Sequence, residues 1–299
     1  MHEKALNMIT SINYKSYWAL CKPKVVALII FTAVVGMLLA SPDGIPWHAL
    51  VFVTLGIVIG AASGAAMNHW VDFRIDGVMD RTSNRPLPQG DLPPYAALIF
   101  SLTLAAISSY ILVVFVNNIT AILTFLSLIG YAVIYTMFLK RTTPMNIVLG
   151  GAAGAAPPVL GWVAVTGTID PNSLLLFLII FAWTPPHFWA LAIHRRDEYA
   201  KVDVPMLPVT HGIEYTRLQV LLYTIIMVAV TFLPFATGMS GVVYLGGVLI
   251  LNAIFLYYAI KMQSGKDETI PIKTFAYSIV YLMLLFALLL IDHYLPQSF

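Results

Sequence analysis

The sequence predicts an all-α polytopic membrane protein with about nine transmembrane helices. Of its 299 residues, 60% are hydrophobic and only 10% are charged, whereas a soluble globular protein usually carries about 25% charged residues. The apolar residues also gather in long runs, and a helix needs about 20 mainly apolar residues to cross a bilayer. Both observations indicate that lipid, rather than water, surrounds most of this chain.

Nine apolar runs are long enough to cross the membrane. They cover residues 24–42, 48–70, 95–115, 119–138, 145–165, 174–194, 218–236, 241–261 and 273–291. Long polar connections follow the second and the sixth run, which predicts two four-helix halves plus a ninth helix. We expect one transmembrane domain over residues 1–299, in which residues 1–23 form a cytoplasmic N-terminal tail.

The basic residues predict how the chain lies in the membrane. All sixteen Lys and Arg residues fall in the N-terminal tail and in every second connection, and the remaining connections contain none. Basic connections stay in the cytoplasm. We therefore expect a cytoplasmic N-terminus and a C-terminus on the far side of a bacterial inner membrane. Cys21 is the only cysteine, which excludes an intrachain disulfide and a CxxC metal site.

Three polar residues lie at the end of the second run at a helical spacing. Asn68, Asp72 and Asp76 are four residues apart, which places them on one helical face. Their oxygens suit Mg²⁺, which typically takes one or two carboxylates together with phosphate oxygens and water. Like charges at this spacing repel, which argues against a purely structural use. The pattern predicts a metal–phosphate site, and a solvated helix end is the alternative.

Basic residues accompany this acidic cluster. Arg81 and Arg85 follow it directly, and Lys140 and Arg141 lie between the fourth and fifth runs. Guanidinium groups match phosphate oxygens in a bidentate geometry, so these residues are candidates for binding a phosphate. The alternative for each of these residues is that its positive charge only keeps the connection on the cytoplasmic side of the membrane.

The sixth run contains two prolines and ends in polar residues. Pro185 and Pro186 remove backbone donors and predict a kink, which is tolerated where helices line a cavity. His187 and His194 are seven residues apart and share a face. An ionisable group at the depth of His187 is a functional candidate, and a neutral histidine hydrogen-bonded inside the bundle is the alternative.

Acidic residues also follow this run. Asp197 and Asp203, with Lys201 between them, predict a second carboxylate cluster that faces the first. The fifth run is rich in small residues over 150–156, which favours close helix packing or a slot for a lipid tail or a flat ring.

Taken together, these residues resemble the UbiA superfamily of intramembrane prenyltransferases. That family has nine helices and two aspartate-rich motifs that hold a prenyl diphosphate through Mg²⁺. Its first motif, NxxxDxxxD, is matched in full by Asn68, Asp72 and Asp76. The stretches over 84–90, 143–162 and 184–210 resemble the branch that farnesylates haem. Many relatives carry DxxxD as the second motif, whereas Asp197 and Asp203 are six residues apart.

The resemblance implies the chemistry and the partners. Farnesyl diphosphate would alkylate a vinyl group of haem B, and water would add to the product. Mg²⁺ would be the cofactor, haem B a substrate, and the lipid bilayer the surroundings. Contact with haem A synthase or with terminal oxidase assembly is expected, and nucleic acid is not.

The resemblance also implies roles for individual residues. The catalytic candidates are Asn68, Asp72, Asp76 and Asp203, and the metal candidates are Asp72, Asp76, Asp197 and Asp203. The diphosphate candidates are Arg81, Arg85, Lys140, Arg141 and Lys201. The haem candidates are His187, His194, Arg195 and Arg196. Aromatic faces that can stabilise an allylic cation are expected from Tyr131, Tyr135, Trp183, Phe188 and Trp189.

Three other functions are compatible with parts of the pattern. A UbiA-type enzyme acting on an aromatic acid or quinone precursor would not need the two histidines. A transporter of an anionic solute would place its polar groups near mid-membrane on a two-sided path, whereas these groups cluster at one face. A structural assembly factor for oxidases would not need two acidic clusters.

Overall fold

The computed structural model describes residues 14–41 and 44–295, and this part of the chain is helical without any strand. Its helices in chain order are α1 Tyr14–Leu20, α2 Pro23–Leu39, α3 Trp47–Asp76, α4 Pro94–Phe115, α5 Asn118–Ile129, a π-helix Gly130–Leu139, α6 Lys140–Thr142, α7 Asn146–Ala155, α8 Pro157–Thr166, α9 Pro171–His194, α10 Arg196–Ala200, α11 Leu207–Thr210, α12 Gly212–Thr231, α13 Leu233–Ala236, α14 Val242–Gln263 and α15 Ile270–Tyr294.

The helices confirm the predicted membrane architecture. Eight helices or continuous helical runs in the described part are long and apolar enough to cross a bilayer. Helices α1 and α2 together pass the same test but meet at an angle of 49°. Counting this bent pair as one span gives nine. The protein is thus an all-α integral membrane protein with eight to nine spans.

The N-terminal segment differs from the predicted tail. Residues 14–20 form helix α1, and its last residue, Leu20, is completely buried beside Ala66 of α3 and Leu87 of the following connection. Apolar side chains at Tyr17 and Leu20 gain from this burial, whereas a tail would leave them in contact with water. Residues 1–13 of the predicted tail lie outside the described residues.

Helix α9 is the most buried of the spans. It packs against α7, α12 and α15, and α15 in turn contacts α2 and α14. Helices α4 and α5 are peripheral and expose apolar side chains such as Leu102, Val113 and Phe125. In a membrane protein such a surface faces lipid, so α9 marks the interior of the bundle.

Close approach between α2 and α8 requires glycine. A Cβ atom at Gly36 would overlap the carbonyl oxygen of Pro158, and one at Gly161 would overlap that of Ala33. Small residues at such positions let two helix backbones touch in a membrane. In the small-residue stretch predicted for packing, Gly151 of α7 likewise lies against Thr184 of α9, where an added Cβ atom would be 2.9 Å from Thr184 Cγ2.

Three spans have features that affect the candidate site. Helix α3 continues beyond residue 70 to Asp76, so all three polar residues of the first cluster are helical. Helix α9 runs without interruption through Pro185 and Pro186 to His194. The fourth span changes from α-helix to π-helix at Gly130, and such wide turns are frequent at functional sites.

Candidate active site

The end of α3 buries an amide and two carboxylates on one face. Asn68, Asp72 and Asp76 are 6%, 1% and 3% exposed. Asn68 Nδ2 donates to Asp72 Oδ2 over 2.8 Å, so the first two are joined directly. Buried carboxylates are costly unless they are paired with charges or ligands, so this face of the helix requires cations.

Basic side chains from two other segments supply cations to this face. Lys140 Nζ lies 2.6 Å from Asp72 Oδ2, and Arg85 Nη1 lies 2.5 Å from Asp76 Oδ2. Arg141 approaches the other oxygen of Asp72 at 3.8 Å and is partly exposed. Three of the diphosphate candidates predicted from the sequence therefore gather at the first acidic cluster.

Lys22 also reaches this cluster, although it was not among the residues predicted for the site. Its ammonium donates a hydrogen bond to Asn68 Oδ1. Lys22 lies at the bend between α1 and α2 with a left-handed backbone (φ 48°), a conformation that is uncommon for a residue with a side chain. The bend directs this lysine towards α3, and a lysine before a proline at the start of a span was the signal in the sequence.

Lys22, Arg85, Lys140 and Arg141 outnumber the two carboxylates at this site. The surplus of positive charge favours an anion, and phosphate groups are frequent ligands of Arg and Lys. A site with excess basic charge and two buried carboxylates is suited to a phosphate that arrives together with a divalent cation.

The donor set fits Mg²⁺. Asp72 Oδ1 is buried and accepts no hydrogen bond within the described part of the chain. Within residues 14–41 and 44–295, no group of three or more His, Cys, Asp or Glu side chains converges to hold a metal by itself. Mg²⁺ is usually bound through one or two carboxylates plus phosphate oxygens, and Asp72 and Asp76 provide that number.

The connection after α3 is tied back to the helix. The Thr82 hydroxyl, 1% exposed, donates to the Asp76 carbonyl over 3.0 Å. This turn brings Arg85 back to Asp76.

Arg81 is exposed and lies near Tyr199. Burial raises the pKa of the Tyr199 hydroxyl, while the positive charges of Arg81 and Arg195 oppose this effect.

The predicted second carboxylate cluster has a different environment from the first. Asp197 is 91% exposed, and its ion-pair partner is Arg196 at 3.8 Å. Asp203 is exposed, with a left-handed backbone (φ 51°). Lys201 pairs with Asp80 at 3.7 Å. No ion pair or hydrogen bond between described residues links Asp197 or Asp203 to Asp72 or Asp76, so their metal role stays a prediction.

The two histidines of α9 have contrasting environments. His187 is 6% exposed, stacks between Trp183 and Phe275 with ring centroids 4.2 and 4.5 Å apart, and contacts Ser278 through Nδ1. His194 is exposed at the end of the helix. The structure thus places His187 inside the bundle and His194 at its surface.

The arginines after α9 pair locally. Arg195 Nη1 lies 2.5 Å from Glu198 Oε1, one turn away. Arg196 donates to the Pro208 carbonyl over 3.2 Å. Neither arginine contacts His187, and their role towards haem stays a prediction.

The predicted aromatic residues divide into two groups. Tyr131 and Tyr135 stack with centroids 5.8 Å apart on the π-helix. Tyr131 packs over Gly64, one turn before Asn68, and both rings lie in the electrostatic field of Asp72. Phe188, in contrast, is 40% exposed, and Trp189 is completely buried in a separate apolar cluster.

His69 is a further buried residue of this region that was not among the residues predicted for the site. It lies next to Asn68, is 3% exposed, and neither ring nitrogen has a hydrogen-bond partner among the described residues. Lys22 and Arg85 are its charged neighbours. Its position inside the NxxxDxxxD spacing was visible in the sequence, but its burial was not.

The fold is that of an integral membrane protein, and the two buried carboxylates with their excess of basic side chains suit an anionic, phosphate-bearing ligand. A family model described as UbiA prenyltransferase family matches residues 29–291. The chain belongs to the UbiA prenyltransferase family.

Similar proteins cover nearly the whole chain. A protein named protoheme IX farnesyltransferase from Hahella chejuensis is 60% identical over 286 residues, 96% of each chain. One of the same name from Methylococcus capsulatus is 57% identical over 284 residues, 95% of each chain.

Solved structures share the fold at low sequence identity. A structure described as digeranylgeranylglyceryl phosphate synthase superposes with a TM-score of 0.79 at 19% identity, covering 94% of this chain and 98% of its own. A UbiA homologue from Archaeoglobus fulgidus bound to DMAPP and Mg²⁺ gives a TM-score of 0.59 at 16% identity, covering 92% and 99%.

Proposed function

We propose that this protein transfers the farnesyl group of farnesyl diphosphate to a vinyl group of haem B and adds water, which gives haem O. Relatives that are 57% and 60% identical along nearly the full chain bear the name protoheme IX farnesyltransferase. The structural observation that carries the proposal is the buried pair Asp72 and Asp76 with its excess of basic partners.

The atoms balance in a single net transfer. The bond between C1 of the farnesyl chain and the diphosphate oxygen breaks, and C1 forms a bond to the terminal carbon of the vinyl group. The electron deficiency passes to the vinyl carbon next to the tetrapyrrole. A water oxygen bonds to that carbon and releases a proton.

Basic side chains would stabilise the leaving group. We assign Lys22, Arg85, Lys140 and Arg141 to the diphosphate, where positive charge fixed in place lowers the free energy of the developing anion. Mg²⁺ held by Asp72 and Asp76 would neutralise further charge on the same oxygens. Their present ion pairs with Lys140 and Arg85 keep these basic groups positioned around the carboxylates.

Aromatic side chains would protect the farnesyl cation. Tyr131 and Tyr135 stack on each other on the π-helix, within the electrostatic influence of Asp72 on α3. The face of an aromatic ring attracts a cation. We assign these two rings to the reacting end of the farnesyl chain. His187 is the haem candidate that lies inside the bundle, and we assign it to the acceptor.

Lys22 should contribute to farnesyl diphosphate binding. In the Lys22→Met variant we expect the KM for farnesyl diphosphate to rise about tenfold, because a charged hydrogen bond contributes about 1.5–3 kcal/mol. Lys24→Met removes an exposed lysine two residues away and should leave the KM unchanged. Equal KM values in the two variants would remove Lys22 from the diphosphate site.

We place the chain in the bacterial inner membrane with its N-terminus in the cytoplasm. Reporter fusions after Gly90 and after Asp203 should report the cytoplasm, and fusions after Gly167 or Phe299 should report the far side. A cytoplasmic C-terminus would mean an even number of spans and would contradict this orientation.

We expect the product to pass within the membrane to haem A synthase or to terminal oxidase assembly.

The haem content of membranes tests the proposed function in cells. Membranes that lack this protein should contain haem B and no farnesylated haem, and restoring the gene should restore the farnesylated form. If the haems extracted with and without the protein are identical, haem is not its acceptor. Prenylated phenolic acids or quinones in the same extracts would then assign it to another UbiA-type reaction.

A further inference from the structure

Helix α15 holds a serine that contacts the ring of His187 directly. Ser278 Oγ lies 2.5 Å from His187 Nδ1, and Ser278 is completely buried. The backbone carbonyl of the same residue accepts a hydrogen bond of 2.8 Å from Trp183 Nε1. A single residue of α15 thus contacts both rings of the Trp183–His187 stack.

The hydrogen bonds of Ser278 determine which nitrogen of His187 carries the proton. Ser278 Oγ lies 2.6 Å from the carbonyl oxygen of Phe275, and a carbonyl oxygen only accepts. The hydroxyl has one proton, which this bond uses. The remaining bond therefore needs Nδ1–H of His187 as its donor, and Nε2 keeps its lone pair.

Aromatic side chains pack around the ring of His187. Phe188 meets it edge-on with ring centroids 4.8 Å apart. Trp183 and Phe275 cover the two faces at centroid distances of 4.2 and 4.5 Å with interplanar angles of 18° and 25°. Nε2 itself has no hydrogen-bond partner among residues 14–41 and 44–295.

We propose that Ser278 is a positioning residue that fixes His187 in the Nδ1–H tautomer, so that Nε2 can bind the iron of haem B. Histidines that ligate a metal usually donate their other N–H to a fixed acceptor, which sets the tautomer and the ring orientation. This inference rests on the proposed function, because it assigns the acceptor of that reaction to His187.

Haem binding by the purified, full-length protein in lipid nanodiscs tests the proposal. Ser278→Ala should weaken haem B binding about tenfold, as the loss of such supporting partners typically does, and should shift the Soret band. Ser278→Thr keeps the hydroxyl and should restore both. Thr274→Val is the matched control, since buried Thr274 lies one turn earlier and bonds only the carbonyl of its own helix, at Ile270.

A wild-type Soret band and wild-type haem affinity in Ser278→Ala would overturn the proposal. Binding of farnesyl diphosphate by each variant reports that it is folded. If Ser278→Ala does not fold, the tautomer of His187 can be measured in the wild-type protein from its ¹⁵N resonances. The His187→Phe variant identifies these resonances, because they are missing from its spectrum. The Nδ1–H form supports the proposal, and the Nε2–H form contradicts it.

The positioning role of Ser278 and the haem-binding role of His187 can be tested separately. If His187→Phe abolishes the haem spectrum while Ser278→Ala leaves it intact, only the positioning role is lost. If His187→Phe also leaves the spectrum and the affinity intact, His187 does not bind haem. The farnesyl transfer would still stand if haem is converted in that variant.

Discussion

Asp72→Asn and Asp76→Asn should each lower farnesyl transfer about 100-fold or more. Each change keeps the shape of the side chain but removes the negative charge that would hold Mg²⁺ at the leaving diphosphate. Loss of a single preorganised electrostatic group in an active site typically costs about 10²–10³ in rate. Initial rates at saturating farnesyl diphosphate and haem B, measured over a range of Mg²⁺ concentrations, give the effect.

A nearby exposed carboxylate provides the matched control. Asp80 follows Asp76 by four residues, in the turn after α3. Its side chain is 81% exposed and lies 3.7 Å from Lys201. Asp80→Asn should therefore retain the wild-type rate. The amount of each variant in the membrane separates lost chemistry from lost folding. Near-normal Mg²⁺-dependent activity in both Asp72→Asn and Asp76→Asn would remove the metal from this site.

His187→Phe should abolish farnesylation of haem while the protein still binds farnesyl diphosphate. The new ring can occupy the same space between Trp183 and Phe275, so the core remains packed, but it carries no nitrogen for the acceptor. We expect the Soret band of bound haem B to change and its affinity to fall by at least about tenfold. Absorbance titration with haem B and calorimetry with farnesyl diphosphate separate the two binding events.

His194→Ala is the control for this prediction. His194 shares the helical face of His187 but lies exposed at the end of α9, and its loss should leave haem binding unchanged. If the His194 variant loses haem and the His187 variant keeps it, the acceptor binds at the surface of the bundle.

Local periodicity made the first half of the site predictable. The geometry of a single helix is enough to bring Asn68, Asp72 and Asp76 together. Their spacing of four residues, visible in the sequence, predicts that they share one helical face. Their basic partners were predictable by residue type, since a buried carboxylate requires cations. Which lysine or arginine pairs with which carboxylate depends on how separate segments fold back, as in the turn that brings Arg85 to Asp76.

Other parts depend on contacts that the sequence does not encode locally. Lys22 reaches Asn68 because α1 and α2 meet at 49° and its backbone is left-handed. The partner of His187, Ser278, is 91 residues away on another helix. Asp197 lies in the short helix α10 and Asp203 lies beyond its end, so their spacing alone could not position them against the first cluster.

For the aromatic candidates too, the sequence predicts the residue type but not which neighbours each side chain contacts. Tyr131 and Tyr135 stack on each other on the π-helix. Phe188 packs edge-on against His187 but is 40% exposed, and Trp189 is buried in another apolar cluster. Periodicity places residues on faces of a helix. The neighbouring helices decide which face becomes the site.

The mass of the haem product tests the central claim most directly. Purified protein would be incubated in lipid nanodiscs with farnesyl diphosphate, Mg²⁺ and haem B, and the extracted haem would be analysed by mass spectrometry. The account predicts haem B heavier by one farnesyl group and one hydroxyl, formed with release of diphosphate and absent in Asp72→Asn. Unmodified haem B, recovered while the same protein prenylates a phenolic acid with farnesyl diphosphate, would contradict it.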